Sequence, residues 1–171
     1  MKLKPSSSPR VTPCLWFDDQ ARPAAEFYVS VFPHSRILQI AHYGEAGQDH
    51  HRRPVGSVMT VQFELDGQQF VGLNGGPLFT FSEAVSLQIN CESQAEVDHY
   101  WDKLSAGGDP AAQQCGWLKD RYGLSWQVVP TMLTDLMVDP DPARSQRAMA
   151  ALMQMKKLDI AALQKAADGR G

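Results

Sequence analysis

Two helical stripes recur along this chain, and strands flank both. Ala24, Phe27, Tyr28 and Val31 fall at i, i+3, i+4 and i+7 of the first. Val97, Tyr100, Trp101 and Leu104 repeat that spacing about 73 residues later. The stretch VTPCLWF (11–17) precedes the first helix and AVSLQIN (84–90) the second. SRILQIAHY, GSVMTVQFEL and QQFVGLN follow the first helix, with Asp66-Gly67 as a tight-turn signal between the last two. After the second come a segment ending in CGWLKD and the run LSWQVV. The chain therefore reads as strand–helix–strands written twice; the flanking strands favour a duplication over a chance match of two short stripes.

Local signals set the ends of these helices. The first starts after Asp18-Asp19 and carries Pro23 in its first turn, where a missing N–H costs nothing. The second opens with a capping box, Ser93-x-x-Glu96, and stops at Gly107-Gly108. The C-terminal part has another character. Asp141-Pro142 reads as a cap and first helical residue, and Asp159 as the cap of a shorter helix ending near Gly169. Met132, Met137, Met149, Met153 and Met155 lie here, five of the seven methionines. They are read as filler of a packing seam, with a partner-binding surface as the sharper alternative.

Composition narrows the function classes. At 43% hydrophobic and 20% charged, the 171 residues can bury a core. A net charge of −3 gives no basic face for nucleic acid, and the one basic cluster, Arg52-Arg53 beside His50-His51, is too short for a phosphate track. No apolar run approaches the roughly 20 residues of a membrane span. The opening MKLKPSSSPR has no apolar stretch behind its lysines, so it reads as a flexible tail over 1–10, not a signal peptide. Three cysteines, Cys14, Cys91 and Cys115, then point to reduced thiols and a cytoplasmic protein.

The quoted stretches LWFDDQARPAAEFYVSVFPHSRI, LDGQQFVGLNGGPLFTFSEAVS, CGWLKDRYGLSWQVVP and the tail AMAALMQMKKLDIAAL together resemble the PhnB-like family. That family is often described as the 3-demethylubiquinone-9 3-methyltransferase domain. It belongs to the vicinal oxygen chelate superfamily, with glyoxalase I and the bleomycin- and fosfomycin-resistance proteins. The resemblance spans nearly all of 11–165. It implies an α+β fold of two paired βαβββ modules, here 11–76 and 77–130, a C-terminal helical extension over 131–171, a cup-shaped cavity, and a homodimer. The methyltransferase part of the description finds little support in the residues. A Gly-rich turn for S-adenosylmethionine should open a helix; Gly72-Leu73-Asn74-Gly75-Gly76 is followed by Pro77 and LFTF.

Metal-using members of the superfamily place His, Glu or Gln on cup-facing strand positions, where an ion polarises substrate oxygens. In this sequence those positions fall near Thr12 or Pro13, near Ala84 or Ser86, near Asn74, and at Gln127. None is His or a carboxylate, and His34, His42, His50, His51 and His99 lie on loops or a helix. Each cysteine defaults to a small buried hydrophobe. The expectation is therefore no metal and no cofactor, with Gln127 as either a ligand contact or a satisfied core hydrogen bonder.

Strand alternation then gives the cup lining. Thr12, Cys14 and Trp16 share a face of the first strand, and Thr60, Gln62 and Glu64 form the polar face of a later one. Asn74, Ser125 and Gln127 add neutral polar groups, while Trp16, Trp117 and Trp126 offer aromatic walls, with Trp126 on the opposite parity from Gln127. Glu64 reads as a solvated charge rather than a base. Arg121 at the hairpin tip is placed over the cup mouth for an anionic group, or as an idle turn charge. The ligand-binding candidates are Trp16, Thr60, Gln62, Asn74, Trp117, Arg121 and Gln127. The leading reading is a small-molecule binder without a catalytic metal. A metal-dependent lyase or dioxygenase-like enzyme and a purely structural dimer are the alternatives.

Overall fold

The computed structural model describes residues 10–170. The tail expected over 1–10 lies, except for Arg10, outside the described residues. The chain divides into two compact units between Thr80 and Phe81, and the fold is the expected α+β arrangement of two sheet-and-helix modules.

The first unit runs β1 (Cys14–Phe17), α1 (Ala21–Val31), β2 (Arg36–His42), α2 (Gln48–His51), β3 (Val58–Leu65) and β4 (Gln68–Asn74). Its sheet order is β1-β4-β3-β2. β1 lies parallel to β4, with Cys14 opposite Val71 and Phe17 opposite Asn74. The other pairs are antiparallel. Asp66 and Gly67 both take positive φ, 44° and 85°, as a two-residue hairpin turn of this hand requires. Alternation sends Val61, Phe63 and Leu65 of β3, with Phe70 of β4, into the core. Against them α1 lays Ala24, Tyr28 and Val31 of the expected stripe; Phe27 is only half-buried and Ala25 takes part instead. Tyr28 stacks on Phe63 with ring centroids 6.2 Å apart.

The second unit runs β5 (Leu87–Cys91), α3 (Gln94–Ser105), β6 (Trp117–Lys119), β7 (Ser125–Pro130), α4 (Thr131–Met137), α5 (Pro142–Leu152) and α6 (Ile160–Ala167). The sheet order is β5-β7-β6, with β5 and β7 parallel. This module is one strand shorter than βαβββ among the described residues. A 3-10 turn at Pro110–Ala112 occupies the connection where the first unit has its edge strand. Val97, Trp101 and Leu104 of α3 are buried as expected, and Tyr100 is half-buried. The three C-terminal helices build their own core from Leu133, Leu136, Ala148, Leu158, Leu163 and Ala167. Met132, Met137 and Met155 pack against it, as a seam-filling role requires, whereas Met149 and Met153 are exposed. No helix among the described residues is long and apolar enough to cross a membrane.

Candidate functional site

The first unit presents one sheet face to α1 and leaves the other open. On the open face, Trp16 of β1, Leu73 of β4, Thr60 of β3 and Ala41 of β2 form one row. Cys14, Val71, Gln62 and Gln39 form the next. Gln62 and Cys14 are exposed, Thr60 and Trp16 half-buried. Trp16 is fixed from two sides. Its Nε1 donates to the Gly76 carbonyl at 2.8 Å, and Phe79 meets its ring edge-on at 5.0 Å. Gly75 is obligatory beneath it, because a Cβ there would come within 2.2 Å of the indole. Glu64 pairs with Arg36 at 3.4 Å.

Asn74 sits on the other side of the sheet, which corrects its expected place in the lining. It shares parity with buried Phe70 and Gly72, and its Oδ1 accepts the backbone N–H of Ala21 at 2.8 Å. Its Nδ2 donates to the Val58 carbonyl at 3.0 Å, and its own carbonyl accepts the Tyr43 hydroxyl at 2.7 Å. Asn74 thus satisfies the first turn of α1, where Gln20 at the N-cap provides no side-chain bond. Asp18 and Asp19, expected at that start, do not cap it.

In the second unit the face of β7 away from α3 carries Ser125, Gln127 and Val129; Ser125 is buried, Val129 packs against the core of the C-terminal helices, and Gln127 is half-buried. Gln127 stands between Gln88 of β5 and Trp117 of β6 in register. Its Nε2 donates to the Ser86 hydroxyl at 2.8 Å, and Gln88 donates to Asn90 Oδ1 at 2.8 Å. Ser125 Oγ is buried and has no partner among the described residues. Gln88 and Asn90 were not among the expected lining residues. Their signal is the alternation with Leu87, Ile89 and Cys91, on the parity of Ala84 and Ser86. Trp126 faces the helix side, is 2% exposed, and donates to Asp120 Oδ2 at 2.8 Å.

Arg121, expected at the hairpin tip over the cup mouth, bonds to the end of α3. Its Nε and Nη2 donate to the Ala106 carbonyl at 3.2 and 3.0 Å. That carbonyl closes α3, where Gly107 turns the chain at φ 80°. A cation at a helix C-terminus satisfies an orphan carbonyl and complements the dipole.

The donor set does not fit a divalent metal of the glyoxalase type. Thr12 and Pro13 precede β1, and Ala84 and Ser86 precede β5. Asn74 Oδ1 already accepts the Ala21 N–H, and Gln127, whose Nε2 donates to Ser86, offers only a neutral amide oxygen. No three His, Cys, Asp or Glu side chains converge among the described residues. His51 stacks on Tyr43 at 4.5 Å and accepts the Arg53 N–H on Nδ1 at 3.0 Å. Of the thiols, only Cys91 is buried; Cys14 is exposed and Cys115 half-buried, so the small-hydrophobe default holds for one of three. Burial, with a smaller contribution from the Glu96 charge, pushes the Cys91 thiol up to about 12. Desolvation also raises Cys14.

Residues 9–129 match the family described as 3-demethylubiquinone-9 3-methyltransferase. A solved PhnB protein from Bacillus cereus is 34% identical over 71% of this chain and 99% of its own, with a TM-score of 0.60. Protein PA1353 from Pseudomonas aeruginosa shares the fold at 19% identity, with a TM-score of 0.55 over 72% of this chain and 98% of that one. None of the curated proteins matches. Helices α4–α6 lie beyond the matched residues, and over the two sheet-bearing modules the chain belongs to the PhnB-like, 3-demethylubiquinone-9 3-methyltransferase family.

Proposed function

We propose that this chain is a cytoplasmic, homodimeric small-molecule-binding protein of vicinal oxygen chelate type that works without a resident catalytic metal. The observation that carries the reading is the chemistry of the open sheet faces. They combine half-buried indoles, Trp16 and Trp117, with neutral hydrogen-bonding groups, Thr60, Gln62, Gln88, Asn90 and Gln127. Such a surface orients an organic ligand by stacking and by amide hydrogen bonds, with little charge to drive proton transfer. A general base needs reach and a tuned pKa; the carboxylate on the first face, Glu64, is engaged by Arg36. Methyl transfer from a bound nucleotide-like donor is not supported by Gly72–Gly76. That stretch ends β4, makes room for Trp16, and leads to no helix before β5.

Native mass spectrometry of freshly purified protein, paired with elemental analysis, tests the reading. The expected species is a dimer carrying an organic adduct that is lost on mild activation, with substoichiometric metal. Stoichiometric zinc, nickel or iron, with thermal stability lowered by a chelator, would establish the lyase or dioxygenase-like alternative in its place. A dimer with no adduct and no affinity for any organic ligand would leave only the structural role.

A further inference from the structure

The Arg52-Arg53 cluster has an unexpected use in the first unit. Arg53 is drawn in beside the start of α1, where its guanidinium Nη2 bonds both the carbonyl of Asp18 and Asp18 Oδ1, the latter at 2.9 Å. Gly76 leaves the room for it: at φ 96°, a Cβ there would stand 3.2 Å from Nη2. The backbone N–H of Arg53 is held by His51 Nδ1. Its Nε and Nη1 make no hydrogen bond among the described residues. A pocket of about 450 Å³ opens here, where α1 and β3 begin and β4 ends. Asp19, Arg22 and Arg53 give it charge, and Pro23, Pro54 and Val58 give it an apolar wall. Apart from Asn74, whose amide is committed to Ala21 and Val58, no expected ligand residue lines it.

The charge balance selects the occupant. Arg22 is bonded through Nε to Glu26 at 2.8 Å, leaving its two terminal nitrogens without a partner among the described residues. The Asp19 carboxylate takes no hydrogen bond or ion pair among them. Two guanidiniums therefore stand against Asp18, Glu26 and Asp19, and the cluster is net negative. A simple anion would meet that excess; a simple cation would meet both arginines. A ligand with both charges matches both. Its volume lies within the range of small-ligand sites, roughly 300–1,000 Å³.

We infer that this pocket binds a small amino-acid-like zwitterion, its carboxylate on the terminal Nη1/Nη2 edge of Arg22 with a single further contact from Nη1 of Arg53, its ammonium on Asp19, and an aliphatic side chain against Pro23, Pro54 and Val58. The planar guanidinium edge suits a carboxylate in two-point contact. The site is separate from the sheet faces, so it stands whether or not those faces bind a ligand.

Calorimetric titration of the full chain with three probes tests it: L-leucine, N-acetyl-L-leucine, which lacks the ammonium, and 3-methylbutylamine, which lacks the carboxylate. L-Leucine alone is expected to bind, and Arg53→Gln or Arg22→Gln each to weaken it by about tenfold or more. Asp19→Asn is expected to erase the preference for L-leucine over its N-acetyl derivative. Arg22 and Asp19 are exposed, so their variants keep the test valid if Arg53→Gln disturbs the loop. No binding of L-leucine at millimolar concentration, equal binding of all three probes, or indifference to both Arg22→Gln and Asp19→Asn would overturn the inference.

Discussion

The two units use one motif but finish it differently. In the first, α1 has no capping side chain of its own, and Asn74 reaches from the far end of the module to satisfy Ala21. In the second, α3 caps itself: Ser93 accepts the Glu96 N–H at 3.3 Å, and Glu96 accepts that of Glu92 at 2.6 Å. The first completes its sheet with β2. The second has a turn and a tether there, in which Cys115 and Gly116 donate to the carbonyls of Met155 and Lys156, both at 2.8 Å. The helical extension thus bonds to the segment that leads into the shorter sheet. A repeated motif fixes the packing of helix on sheet and leaves the closure of each copy free to differ.

Four measurements bear on that contrast. Tyr28 and Trp101 hold equivalent stripe positions, 0% and 7% exposed. Replacing either with Ala is expected to cost about 3–5 kcal/mol in denaturant unfolding, and a loss below about 1 kcal/mol at one of them would break the equivalence. Asn74→Ala leaves the Ala21 N–H and Val58 carbonyl without partners, at about 1–3 kcal/mol each, so a total of about 2–6 kcal/mol is expected. Ser93→Ala removes a local, exposed cap and should cost about 1 kcal/mol. Equal losses for these two would show that the non-local cap carries no more than the local one. The fourth effect is absent at neutral pH and confined to alkaline pH. The folded Cys91 thiol is raised from its ordinary value near 9 to about 12, so its contribution is intact below pH 9 and is lost as pH climbs towards 12. The melting temperature should fall more steeply across that window in wild type than in Cys91→Ala; parallel curves would place the alkaline loss elsewhere.

What was legible follows the range of the interaction. Stripes, the Asp66-Gly67 turn, the Ser93 box and the Asp141 and Asp159 caps are all spelled within a few residues, and each stands where the pattern placed it. Asn74 was not legible as a cap, because its partner is 53 residues away. Arg121 was not legible as a helix-end clamp, because Ala106 is brought to it only by the turn at Gly107. Of the candidate lining, the alternation of β3 separates Thr60 and Gln62 from the core as read. Gln88 and Asn90 are legible from the same kind of alternation, on the parity of Ser86. The pairing of Gln127 with Ser86 answers to a polar group beside a buried strand, and its sequence gave no sign of which neighbour it would choose.

The parallel pairing of first and last strands has a kinetic consequence. β1 can find its neighbour only after β4 has been made, and β5 only after β7. Neither module can close progressively as a chain of hairpins, since its opening strand waits while the intervening elements assemble. Such long-range closure raises the entropy to be lost before any gain, which slows folding. During synthesis the N-terminal strand and α1 emerge first and lack both sheet partner and cap until Asn74 is available. Arrested chains ending before residue 68 should therefore be protease-sensitive throughout. Protection should begin in a single step once Asn74 clears the ribosome; stepwise protection from α1 onward would show that the helix docks without its closing strand.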